Sequence, residues 1–129
     1  MKSLKIAVIT GTRPELIKLS VLLRQLAKDP ELELLFIHSG QHYDKNLFKV
    51  FLRELELPNP SYNIQVGSYP PSVQIGQMLI DFYEIIQMEQ PHLILAQGDT
   101  NTVLASALTA FVNFIPFAHV EAGIRSFDE

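Results

Sequence analysis

The chain alternates between short apolar runs and longer stretches with helical periodicity, and this alternation constrains its fold more than any single motif. Nearly continuous apolar runs occupy 4–9, 32–37, 93–96 and 117–120, and a more polar candidate strand lies at 61–66. Such runs are typical of parallel strands that helices cover on both faces. The pattern therefore predicts a parallel sheet of about five strands.

The stretches between the strands carry apolar residues three and four positions apart, as the buried face of a helix requires. The first helix begins at Pro14, a residue suited to the first helical turn, and ends near Lys28. Further helices are predicted over 46–55, 73–90 and 100–113. In the last of these, the residues expected to be buried are Leu104, Ala107, Leu108 and Phe111.

Strands that alternate with helices favour right-handed crossovers, which leads to a doubly wound, Rossmann-like α/β fold. We predict the strand order 3-2-1-4-5. A length of 129 residues matches one domain, so 1–129 is assigned to a single Rossmann-like domain. Ligands of such sheets bind at the carboxyl ends of the strands.

Composition excludes several classes of protein. The net charge is −4 and the ten basic residues are dispersed, which argues against a nucleic-acid surface. Without cysteine there is no disulfide framework and no thiolate ligand or nucleophile. No apolar run approaches the roughly 18 residues that a membrane-spanning helix needs, so we expect a cytoplasmic protein.

Polar residues follow the predicted strands, where the rim of the sheet would lie. The first strand leads into "GTRPE" with Lys18 one turn later, the second into "HSGQHYD", the fourth into "QGDTNT" and the fifth into "EAGIRS". This arrangement would bring basic residues, imidazoles and two carboxylates to one edge. The sequence therefore predicts a site for an anionic ligand and for proton transfer.

Arg13 and Lys18 lie beside a helix N-terminus, whose free N–H groups and partial positive charge suit a diphosphate. The single glycine, Gly11, does not match the three-glycine dinucleotide fingerprint, so the loop gives no support for NAD or FAD. An alternative interpretation is that Arg13 and Glu15 form a surface ion pair while Gly11 only makes the turn.

Asp99 and Glu121 are a candidate acid/base pair. Glu121 follows an apolar strand, where a carboxylate needs a partner or a raised pKa, whereas Asp99 could alternatively cap the next helix. His38 and His42 are expected in a loop, and without cysteine or an HExxH pattern no metal site is predicted. His119 is expected in or near the core.

Four segments, "GTRPELIKLS", "HSGQHYD", "QGDTNTVLA" and "HVEAGIRSFD", occur in an order and at spacings that resemble the N-terminal half of the non-hydrolysing UDP-N-acetylglucosamine 2-epimerases. The resemblance implies a two-domain, glycosyltransferase-B-type fold with the active site between its domains. It also implies interconversion of UDP-N-acetylglucosamine and UDP-N-acetylmannosamine without a cofactor. In that reaction UDP is eliminated to give 2-acetamidoglucal and is then added again.

The resemblance also implies roles for single residues. Arg13 and Lys18 match phosphate-side positions, and Asp99 and Glu121 match carboxylates implicated in proton transfer. The motif positions of Gln41 and His42 bind substrate or, in some bacterial members, a second UDP-sugar as an allosteric activator. Tyr43 and Asp44, which follow them, depart from the pattern of those members.

Other interpretations remain open. The same motifs are compatible with epimerases of UDP-2,3-diacetamido-glucuronate or of UDP-N-acetyl-L-fucosamine precursors. The chain could also be a non-catalytic, flavodoxin-like module that binds an anion or a partner. We expect a truncated chain that lacks the C-terminal UDP-binding domain and is inactive alone, and we expect the full-length protein to be a homodimer.

Overall fold

The computed structural model describes residues 4–40, 45–98 and 100–120. Strands and helices alternate along these residues, as the sequence pattern predicts. In chain order they are β1 (Leu4–Thr10), α1 (Arg13–Lys28), β2 (Leu32–His38), α2 (Lys45–Glu54), β3 (Tyr62–Asn63), α3 (Pro71–Glu89), β4 (Leu93–Gln97), α4 (Asn101–Val112) and β5 (Phe117–Val120).

The five strands form one parallel sheet in the order β3-β2-β1-β4-β5, which confirms the predicted topology. Strand β1 is central and pairs with β2 along its whole length. Strand β3 is shorter than the predicted 61–66, because only Tyr62 and Asn63 reach the end of β2, opposite Ile37 and His38.

The side chains of the central strands alternate between two cores, one on each face of the sheet. On one face, α3 and α4 pack over residues such as Ile9, Ile37 and Ile94. On the other face, α1 and α2 pack over residues such as Val8 and Phe36. Helices on both faces make the fold doubly wound, as predicted.

The prediction for the buried face of α4 was wrong. Leu104 and Phe111 are 50% and 78% exposed, and Leu108 is also exposed, whereas small residues such as Ala105 and Ala110 are fully buried. Small side chains let α4 lie close to the sheet and to α3. Two of the hydroxyls on this face, those of Ser106 and Thr109, donate to backbone carbonyls one turn earlier in the helix, so they are buried without loss of hydrogen bonds.

In the part of the chain that the structure describes, no helix combines the length and the apolar character needed to span a membrane.

Candidate functional site

The turn between β1 and α1 is closed by a reciprocal pair of hydrogen bonds. Thr12 is the N-cap of α1, and its Oγ1 accepts a hydrogen bond from the backbone N–H of Glu15 at 3.4 Å. The Glu15 carboxylate accepts one from the backbone N–H of Thr12 at 3.3 Å. This capping box satisfies N–H groups at the start of the helix. The sequence interpretation overlooked it, although the spacing Thr-x-x-Glu is its usual signature.

Glu15 also joins this turn to a second one. The residue is 3% exposed, and its Oε1 accepts a hydrogen bond from the backbone N–H of Gly11 at 2.6 Å. Its Oε2 accepts one from the hydroxyl of Thr100, just before α4, at 2.7 Å. Glu15 is therefore not the solvated partner of Arg13 that the surface ion-pair interpretation supposed, because its carboxylate is buried and hydrogen-bonded through both oxygens.

Gly11 allows the two turns to approach each other closely. A Cβ at this position would overlap the side chain of Thr102 in α4. The Thr102 hydroxyl is also hydrogen-bonded to that of Ser39, which follows β2, at 3.1 Å. The backbone N–H of Ser39 donates to Thr10 O at 2.7 Å. The ends of β1 and β2 and the start of α4 are thus held together.

The expectation that His38 lies in a loop was wrong, because it is the last residue of β2 and is buried beneath this rim. Its Nδ1 is hydrogen-bonded to the Thr10 hydroxyl at 2.8 Å, and its ring stacks on Phe48 with the centroids 4.7 Å apart. Burial lowers the pKa of His38 to about 4, because the charged imidazolium would lose its hydration. The side chain is therefore neutral near pH 7.

Arg13 and Lys18 lie on the first turns of α1, and both are exposed. The guanidinium carbon of Arg13 is 5.3 Å from the centre of the Phe51 ring in α2, within the range of a cation–π contact. Because α1 begins at the carboxyl edge of the sheet, both cations lie near that edge. The edge is where a parallel sheet of this kind binds its ligand.

The turn between β4 and α4 forms the neighbouring part of the rim. Gly98 has a φ of 94°, in the left-handed region that glycine adopts readily. Thr100 is the N-cap of α4, yet its side chain makes no capping hydrogen bond, and its hydroxyl donates to Glu15. The backbone N–H of Gly98 donates to the carbonyl of Val120, the last residue of β5, at 3.3 Å.

Four predicted site residues, Gln41, His42, Asp99 and Glu121, lie outside the described residues. The same holds for Tyr43 and Asp44. The structure therefore describes Arg13 and Lys18 of the predicted site. It adds Glu15, Ser39, Thr100 and Thr102, whose contacts between elements cannot be read from the sequence.

The expectation that His119 belongs to the core was wrong. The residue is exposed on β5, and its Nε2 donates to the carbonyl of Gly98 at 2.5 Å. β5 is one of the two edge strands of the described sheet and is less covered than β1 or β4. An imidazole therefore lies next to the turn that carries Asp99.

Residues 4–40, 45–98 and 100–120 contain no group of three His, Cys, Asp or Glu side chains that could hold a metal ion.

Comparison with known proteins identifies relatives of the chain. A family model described as UDP-N-acetylglucosamine 2-epimerase matches residues 24–129. The UDP-N-acetylglucosamine 2-epimerase of Methanocaldococcus jannaschii is 50% identical over 125 residues, which are 97% of this chain and 34% of that protein. The UDP-2,3-diacetamido-2,3-dideoxy-D-glucuronate 2-epimerase of Pseudomonas aeruginosa is 38% identical over 97% of this chain and 35% of its own length.

Solved structures give the same result. The crystal structure of the M. jannaschii enzyme in complex with UDP-GlcNAc and UDP superposes with a TM-score of 0.87 and 50% identity. The match covers 97% of this chain and 34% of that one. The chain thus spans about a third of the length of these relatives. On the family model and these similarities, the chain belongs to the UDP-N-acetylglucosamine 2-epimerase family.

Proposed function

We propose that the full-length protein containing this chain interconverts UDP-N-acetylglucosamine and UDP-N-acetylmannosamine. The observation that carries the proposal is the rim at the carboxyl ends of β1 and β4, where the N-terminus of α1, Arg13 and Lys18 lie beside the turn that carries Asp99. The similar M. jannaschii enzyme was solved with UDP-GlcNAc and UDP, which supports a UDP-sugar as the ligand.

The chemistry follows from the substrate. The hydrogen on C2 has no adjacent carbonyl to acidify it, so direct removal as a proton is unfavourable. Elimination avoids this problem: a base takes the C2 proton, the electron pair forms the C1–C2 double bond, and the C1–O bond breaks. UDP leaves with that bonding pair, and the other product is 2-acetamidoglucal. Addition of UDP to C1, with protonation of C2 on the opposite face, completes the inversion.

Arg13 and Lys18 are proposed to hold the diphosphate while it leaves and returns. Two cations beside a helix N-terminus stabilise the negative charge that grows on the leaving oxygen. Lys18→Met should weaken UDP binding to the full-length protein. Lys28→Met is the matched control, because Lys28 is at the other end of α1, about 15 Å along the helix axis. If calorimetry gives the two variants equal affinities for UDP, Lys18 does not bind the diphosphate.

Asp99 and Glu121 are proposed to transfer the protons at C2. Their predecessors in the chain, Gly98 and Val120, are hydrogen-bonded to each other at 3.3 Å. Because Gly98 and Val120 directly precede Asp99 and Glu121 in the sequence, this bond supports the proposal that both carboxylates serve one site. Two carboxylates near one another can differ in pKa and so divide the roles of acid and base.

Gln41 and His42 are proposed to contact the substrate or a second UDP-sugar.

The rim would form only one side of a ligand-binding cleft. Since the chain spans about a third of its relatives, we propose that the rest of the full-length protein supplies a C-terminal domain that binds the uridine and closes a cleft over the rim. The 129-residue chain should then be inactive alone. Mixing it with UDP-N-acetylglucosamine and detecting UDP-N-acetylmannosamine by chromatography would contradict this.

The homodimer expected for the full-length protein is proposed to use the outer face of α4. Leu104, Leu108 and Phe111 are exposed there, Phe114 is exposed just beyond the end of the helix, and exposed apolar patches mark interfaces. Leu108→Lys should convert the dimer to a monomer in light scattering. Val21→Lys, at an exposed position on α1, should leave it intact. Identical masses of the two variants would exclude the outer face of α4 as the dimer interface.

We place the full-length protein in the cytoplasm. A sequence without cysteine fits a reducing compartment, where disulfides would not persist. Fractionation of cells that express the protein at its natural level should recover it with cytoplasmic markers. Recovery with extracytoplasmic markers would contradict this.

A second substrate is favoured by one specific observation. The P. aeruginosa relative, 38% identical, acts on UDP-2,3-diacetamido-2,3-dideoxy-D-glucuronate. The full-length protein should be incubated with both UDP-sugars and the products identified by chromatography. Conversion of UDP-N-acetylglucosamine supports the main proposal, whereas conversion of the diacetamido-glucuronate alone would replace it.

A further inference from the structure

Glu15 holds together two turns that face the proposed ligand. Its Oε1 accepts the backbone N–H groups of Gly11 and Thr12, and its Oε2 accepts the hydroxyl of Thr100. We propose that Glu15 is a positioning residue that fixes the turn carrying Arg13 relative to the turn carrying Asp99. This inference rests on the proposed function, because it concerns the same site.

The sheet alone does not fix these turns. The pairing of β1 with β4 ends at Ile9 opposite Ala96, so the hydrogen bonds between these two strands stop before either turn begins. Beyond that point, the hydrogen bond between Glu15 and Thr100 joins residues 85 positions apart in the sequence. A shift of Thr100 would move its neighbour Asp99 relative to the diphosphate site.

The role of Glu15 goes beyond helix capping. A capping box needs only one oxygen of the glutamate carboxylate, which accepts a hydrogen bond from the N-cap backbone N–H of its own helix, so the second oxygen has no part in the cap. Here that second oxygen receives a hydrogen bond from another element at 2.7 Å, and the residue is almost completely buried. Hydrogen bonds to a carboxylate are stronger than those between neutral groups, and burial removes the competition from water.

Thr100→Val tests the link without disturbing α1. Valine keeps the shape of threonine and removes the hydroxyl, while Glu15 keeps its bonds to Gly11 and Thr12. Since the Thr100 side chain makes no capping bond, α4 loses no cap. Thr100→Ser is the matched control, because it restores the donor.

In the full-length protein, we expect Thr100→Val to lower kcat by about 10- to 100-fold, the range expected when a catalytic group is misplaced by up to about 1 Å. The dissociation constant of UDP should be nearly unchanged, because Arg13 and the α1 N-terminus are intact. Thr100→Ser should restore kcat. A merely structural role would instead lower the melting temperature and leave the kcat of the folded enzyme unchanged.

A second measurement does not depend on epimerase activity. In hydrogen exchange, UDP should protect the backbone amides of residues 11–16 and, through Glu15, those of 100–104. In Thr100→Val, UDP should still protect residues 11–16 but should no longer protect residues 100–104. If 100–104 stay protected in that variant, or are unprotected in the wild type, the positioning proposal is overturned. Absence of epimerisation by a wild-type protein that shows this pattern would instead overturn the proposed function alone.

Discussion

At the scale of single residues, Gly11 has a steric role. A side chain there would collide with Thr102, so we expect Gly11→Ala to destabilise the chain by about 1–3 kcal/mol, the usual cost of overpacking. Gly76→Ala is the control, because nothing lies within 4 Å of its added Cβ and alanine is the better helix former. That variant should gain about 0.5–1 kcal/mol. Urea unfolding measures both, and equal shifts would contradict the close approach.

His38 makes the stability of the folded chain depend on pH. Its pKa is about 4 in the folded chain and 6.5 when unfolded, so between these values the unfolded state binds more protons. The free energy of unfolding is therefore unaffected by this group above about pH 6.5. It falls as the pH is lowered toward 4, by up to about 3 kcal/mol, because protonation of His38 favours the unfolded chain. His38→Asn should flatten this part of the stability profile, measured by unfolding at a series of pH values. An unchanged slope in the variant would show that other groups cause it.

The same scale shows what sequence reasoning could and could not supply. The local motif Thr12-x-x-Glu15 predicts a capping box, so one end of the Glu15 side chain was predictable. The bond from Glu15 to Thr100 was not, because it depends on how close two turns from different parts of the chain come. His119 was misjudged for a similar reason, since exposure at an edge strand depends on what covers that edge.

At the scale of elements, the start of α1 is a separate test. Thr12→Ala should destabilise the chain by about 1 kcal/mol, because the N–H of Glu15 loses its acceptor. Thr12→Ser should retain most of the stability, since its hydroxyl can accept the same hydrogen bond. Thermal unfolding compares the two variants, and equal losses would show that the hydroxyl does not act as the cap.

Helix α4 shows the limit of reading a helix from its large apolar residues. Leu104, Leu108 and Phe111 have helical spacing and suggest a buried stripe, but they are exposed. The opposite face is buried because its alanines, serine and threonines are small enough for close packing, and the hydroxyls of Ser106 and Thr109 donate to carbonyls within the helix. The spacing of apolar residues predicts that a helix forms. Which of its faces is buried depends on the elements that pack against it.

At the scale of the whole molecule, the strand order was predictable because it follows from general rules. Strands separated by helices and right-handed crossovers leave few arrangements, and 3-2-1-4-5 was among them. The edge of the sheet at which a ligand site is expected follows from the same rules. Which residues touch across that edge depends on loop geometry, and that part of the site required the structure.

The most direct test of the account is exchange of the C2 hydrogen with solvent. The full-length protein is incubated with UDP-N-acetylglucosamine in heavy water, and deuterium at C2 is followed by NMR spectroscopy. We expect one deuterium at C2 of both epimers, and we expect Asp99→Asn and Glu121→Gln to lose exchange while they still bind UDP. Epimerisation that keeps the original hydrogen, or a wild-type protein that shows no exchange, would contradict the elimination mechanism and its proposed place on this rim.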